Sequence, residues 1–213
     1  MTIPIRRVSL GVVLSVAALA LLVAPAGAST KLKGTLAIKA GAWSGKPTGS
    51  WFRMASPAGD FLDNANSTAG DKSYTLLSPG KARGITLGAY QADSTFAENG
   101  DALADSIIAP TSFFGTKFSL ATLSKESASS PTAPKPSATV KGSKLSVNLA
   151  ALTAAWNKQY FNQGLPKPGA SKPLVTGTYT ARGKKFKLAW RSKIAGGPFN
   201  GFTGVWNLEG TLR

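Results

Sequence analysis

The sequence predicts a mainly β domain: an antiparallel sandwich or partly closed barrel with one packed α-helix, ending in a three-stranded meander. Three observations lead there. Apolar and polar residues alternate with a period of two in several short runs, clusters rich in Gly, Pro, Asn and Asp separate those runs, and 43% apolar residues against 16% charged supply a core. A length of 213 residues suits one domain or two small ones.

The elements follow in order. Residues 1–28 read as a cleaved signal peptide: Arg6 and Arg7 precede an uncharged apolar run from Val8 to Ala26, and Ala24-Pro25-Ala26 and Ala26-Gly27-Ala28 offer small residues at peptidase spacing. The expectation is therefore a secreted bacterial protein, extracellular or cell-wall associated, whose mature part is a single domain over 29–213. Strand candidates are Leu32 to Ala40, Ser50 to Met54, Ser73 to Leu77, Ile85 to Gln91, Phe113 to Thr122 and Leu145 to Leu149. Residues 124–138, almost all Ser, Ala, Pro, Thr and Lys, read as an exposed loop.

One α-helix is expected at about 149–161. Leu149, Leu152, Trp156 and Tyr160 share a helical face, Asn148 offers a cap and Gly164 a stop. A shorter helix is expected from Asp101 to Ile108, ended by Pro110.

The meander is the clearest pattern. Val175 to Arg182 leads through Gly183-Lys184 into a strand where Phe186, Leu188, Trp190 and Ile194 alternate with Lys185, Lys187, Arg191 and Lys193. A Gly-rich connection holding Phe199 and Phe202 leads to Val205 to Leu212.

Composition excludes much chemistry. Without Cys or His there are no disulfides, no Cys/His zinc sites and no Ser-His-Asp triads. No cofactor is implied, and no residues stand out as catalytic. Asp60, Asp63 and Asp71, among Asn64, Asn66 and Ser67, are weak calcium candidates, because hard oxygen donors suit that ion but the spacing is not that of an EF-hand.

The charge is strongly unbalanced, with 25 Lys and Arg against 9 Asp and Glu and a net +16. Removing the leader still leaves +14, and residues 139–213 contribute twelve cations against Glu209 alone. Four cations on one strand face, Lys185, Lys187, Arg191 and Lys193, repel one another unless an anion sits beside them. They are the candidate anion-binding residues.

The expected function is a non-catalytic binding protein of the cell envelope that contacts an anionic polymer or lipid head groups through this face. Nucleic acid is not expected, since 18 Lys to 7 Arg lacks the Arg richness of base readers. Two alternatives stay open. A barrel could carry a small apolar ligand under the Phe199 to Phe202 loop, or Trp43 and Trp51, flanking a Gly-rich loop, could contact a polysaccharide in a lectin or a glycoside hydrolase.

Overall fold

The computed structural model describes residues 28–91, 95–126, 128–164 and 174–213. Residues 1–27 of the expected leader lie outside them. Sixteen strands form among the described residues: β1 (Thr30–Lys31), β2 (Thr35–Ile38), β3 (Ala42–Trp43), β4 (Pro47–Thr48), β5 (Trp51–Ala55), β6 (Thr75–Leu76), β7 (Gly84–Thr86), β8 (Thr111–Phe113), β9 (Thr116–Thr122), β10 (Ser137–Lys141), β11 (Lys144–Asn148), β12 (Leu152–Trp156), β13 (Gln159–Asn162), β14 (Leu174–Thr180), β15 (Lys185–Lys193) and β16 (Thr203–Leu212).

The mainly β architecture and the meander are as expected. β14, β15 and β16 pair antiparallel in sequence order inside a ten-stranded sheet that curls into a half-barrel. β15 alternates without exception, every odd-numbered residue from Lys185 to Lys193 exposed and every even-numbered one buried. Lys in a half-buried strand keeps its ammonium in water only on the outer face, so this pattern excludes any one-residue slip, which would bury the cations.

β16, ten residues long, is shared by two partners on its far edge. Thr203 to Asn207 pairs with β5, and Gly210 to Leu212 pairs with β2. The chain between those partners leaves the sheet as a small arm, the β3–β4 hairpin. Its neck is pinched where Ser50 N–H donates to the Lys39 carbonyl at 3.1 Å. Gly41 and Gly49 are needed there, because a Cβ on either would meet a backbone oxygen at 2.2 or 2.1 Å.

A second antiparallel sheet, ordered β13-β12-β9-β8, packs its apolar side chains against the inside of the half-barrel. One core joins the two. Phe52, Phe118, Leu120, Leu152, Phe161, Trp190 and Trp206 all belong to it. Trp190 and Trp206 stack at 5.9 Å and 13° between ring planes.

Both expected helices are absent from the structure. The segment at 149–161 is instead the β12–β13 hairpin, closed by Asn157 and Lys158 at φ 47° and 60°. Two successive positive-φ residues make a hairpin turn of the type whose twist suits antiparallel strands. β12 also gains a neighbour on each edge, β9 and β13, and Leu152 to Ala155 are buried on both faces. An apolar strand buried on both faces has no alternation, so its residues happen to match helical spacing. Asn148 caps no helix; its Oδ1 accepts from Ala150 N–H at 3.0 Å as a turn.

The Asp101 to Ile108 stretch is irregular chain held against β9 rather than a helix. Ala102 N–H bonds the Lys117 carbonyl and Ile107 N–H bonds that of Leu120, both on β9. The exposed loop is shorter than 124–138, since Ser137 and Ala138 open β10 and Ala138 is buried.

Candidate functional site

The outer face of the curled sheet carries the site. Alternation on β15 points Lys185 and Lys187 outward, and the register sets Lys185 beside Thr180 and Thr211, and Lys187 beside Thr178 and Glu209. β2 brings Ala37 next to Thr211, and Lys39 follows it. The turn at Pro79 to Arg83 forms a wall, with the Arg83 carbonyl accepting from Ile38 N–H at 2.8 Å. Together these residues line an open groove of about 620 Å³ that Arg213 also borders.

The groove is cationic. Lys39, Arg83, Lys185, Lys187 and Arg213 face one carboxylate, Glu209. Among the described residues a single ion pair forms, Lys187 Nζ to Glu209 Oε1 at 2.9 Å. Burial pushes the Glu209 carboxyl up, but the bonds from Lys187 and Asn207 and the Lys187 charge outweigh it, holding the group below the usual range. Glu209 is therefore ionised at neutral pH and offsets one of the five cations. The other four have no carboxylate partner among the described residues.

Arg191 and Lys193 stand on the same face beyond the groove. Arg191 is opposite Val205, which is opposite Arg53 of β5. Lys193 borders a separate hollow of about 380 Å³ that contains Glu126. Burial raises the Glu126 carboxyl above its usual range, although Asn162 N–H donates to it at 2.7 Å.

Trp43 and Trp51 come together through Tyr74, a residue the sequence reading missed. Their ring centroids lie 5.7 and 5.0 Å from that of Tyr74. Arg53 fixes the Tyr74 ring: its guanidinium lies 4.2 Å from the ring centroid and donates to the hydroxyl at 3.1 Å, with Phe61 on its other side at 3.3 Å. Trp156, Trp190 and Trp206 belong to the interior. Each donates its indole N–H inside the protein, Trp156 to Phe113 O, Trp190 to Gln163 O, and Trp206 to Gln163 Oε1 and Ser192 Oγ.

Phe199 packs on Trp156, Phe113, Phe114 and Phe202 with centroids 5.2 to 6.0 Å apart. It covers an apolar slot lined by Phe52, Met54, Phe118 and Phe161, with about 40 Å³ of space. The carboxylates Asp60, Asp63 and Asp71 are not brought together; no group of three acids able to hold a metal exists among the described residues. The oxygen donors around them serve the loop itself. Asp71 Oδ1 accepts from the Ser73 hydroxyl and N–H at 2.6 and 2.9 Å, which with the nearby Arg53 charge holds its carboxyl below the usual range, and buried Asn64 donates to Thr75 and Ser112.

Lys39, Arg83 and Arg213 were not candidates from sequence. The alternation of Ile38 and Lys39 contains the outward direction of Lys39, but nothing local says that β2 lies across β16 from Lys185. No family model, curated protein or solved structure matches this chain.

Proposed function

We propose that this protein is a non-catalytic, polyanion-binding β domain of the bacterial cell envelope, reached by secretion. The observation that carries the reading is the groove, where five cationic side chains converge on one carboxylate across four adjacent strands and a turn. Like charges held this close are stabilised when a polymer of opposite sign displaces their counterions, and the hydroxyls of Thr178, Thr180 and Thr211 add neutral donors. A rigid sheet presents them with little ordering to be done on binding.

The anionic partner is an envelope polymer bearing phosphate or carboxylate groups, with lipid head groups as the second source of the same chemistry. The enclosed-carrier reading has less support, because the slot under Phe199 is far smaller than the roughly 150 Å³ cavity that admits a benzene.

The test is binding of the purified chain to labelled polyglycerol phosphate and, separately, to vesicles with and without anionic lipid, between roughly 0.05 and 1 M salt. Tight binding to the polymer that disappears at high salt is expected. Binding to anionic vesicles alone would move the partner to the membrane, and no binding to either at low salt would overturn the reading.

A further inference from the structure

We infer that the anionic partner is an acidic polysaccharide, its sugar rings resting on Trp43, Trp51 and Tyr74 while its acid groups meet the cations of β15. This rests on the polyanion reading and names the ligand class within it.

The sheet register places the two features side by side. Trp51 of β5 is opposite Asn207 of β16, which is opposite Ala189 of β15, and Lys187 and Arg191 flank Ala189 on the same outer face. At two strand spacings and two residues, Trp51 stands roughly 12 Å from either cation, the length of a short oligosaccharide. Arg53 and Arg191, on either side of Val205, continue the cationic path past the aromatic cluster.

The aromatic residues themselves are unlike those of the core. All three interior tryptophans donate their indole N–H to protein oxygens. No such bond exists for Trp43 or Trp51, and the buried polar side-chain atoms without a partner among the described residues are Arg53 Nε, Ser56 Oγ and Asp105 Oδ1. Neither indole nitrogen is therefore fully buried, although that of Trp43 lies beside Gly70. A half-buried indole with a free donor gives a sugar both a flat apolar surface and a hydrogen bond to a hydroxyl.

The cluster is also held still. Trp51 meets Tyr74 edge-on at 81°, and the Arg53 guanidinium lies between the Tyr74 and Phe61 rings. Trp43 lies against Gly70, where a Cβ would come within 2.5 Å of its indole nitrogen. Preformed rings lose little freedom on contact. A polypeptide or polyphosphate of equal charge would satisfy the cations and leave this surface unused.

The experiment compares polygalacturonate with poly-L-glutamate of matched length and charge, both titrated into the full chain at roughly 0.15 M salt, with tryptophan fluorescence and anisotropy as readouts. Polygalacturonate should bind about tenfold more tightly, the effect of stacking two rings, and it alone should change the fluorescence. The W43F/W51F double variant keeps an apolar ring at each site but removes the indole donors and part of the stacking area. It should lose most of the tenfold preference while binding poly-L-glutamate as before, with its melting temperature checking the fold. Equal affinity of the natural chain for the two polymers, or a preference that survives W43A/W51A in a folded variant, would overturn this inference and leave the polyanion reading intact. Failure of both polymers, and of polyglycerol phosphate, to bind at roughly 0.05 M salt would remove both.

Discussion

Replacing Glu209 by Gln should tighten polyanion binding, whereas replacing Lys185 by Glu, one strand away, should weaken it. The groove holds five cationic side chains and one carboxylate side chain, a side-chain net of +4. Glu209→Gln raises this to +5 and frees Lys187, whose side chain is 58% exposed and reachable by a polymer. Lys185→Glu lowers it to +2. With about 1 kcal/mol per charge near a dense anionic surface, the first change is about fivefold tighter and the second about thirtyfold weaker at low salt. Both effects should shrink towards 1 M salt, where the screening length falls to about 3 Å. The fold should barely notice either change. An exposed ion pair contributes at most about 1 kcal/mol, and Gln keeps the oxygen that accepts from Asn207 at 3.4 Å. Anisotropy of labelled polyglycerol phosphate, with melting curves for each variant, reads the prediction. If Glu209→Gln left the affinity unchanged or lowered it while the protein stayed folded, the groove would not be the contact surface.

Three further outcomes concern the fold that builds the site. Lys158 sits at φ 60° in the β12–β13 turn, so Lys158→Gly should stabilise the protein by about 0.5 to 1 kcal/mol, measured by urea unfolding. Gln163 Oε1 accepts from both Ser192 Oγ and Trp206 Nε1 in the core, so Gln163→Leu leaves the Ser192 hydroxyl without its acceptor and Trp206 Nε1 with Ser192 Oγ alone, and should destabilise by about 1 to 3 kcal/mol in the same assay. Glu126, raised by burial, favours folding in its protonated form. That contribution is complete below its unfolded value and is lost as pH rises through the higher folded value. Glu126→Gln stays neutral and keeps an oxygen for Asn162 N–H, so it should melt above the natural protein at pH 7 and level with it near pH 4.

How much was legible depended on whether an element was buried on one face or two. β15 announces itself because outward Lys185, Lys187, Arg191 and Lys193 alternate with inward Phe186, Leu188 and Trp190. β12 does not, since a central strand covered on both sides reads as an unbroken apolar run that a helix could also use. The turn at Asn157-Lys158 was the available cue, weakened because Lys stands where Gly is usual. The same reasoning explains the oxygen-rich stretch around Asp60, Asp63 and Asp71, which resembles an ion-binding loop in sequence. In the folded chain Asn64, Ser67 and Asp71 are occupied with the loop's own backbone and hydroxyls.

The sequence by itself determined the β class, the inward and outward faces of β15 and the excess of positive charge. These follow from local alternation and composition, which residues two apart already express. Only the tertiary structure decided that Lys39 and Arg83 join Lys185 and Lys187, that Glu209 offsets one of them, and that Trp51 shares the β15 face. Those are contacts between residues far apart in the chain. They depend on β16 accepting β5 along one half and β2 along the other, a choice set by how the whole sheet curls around its core.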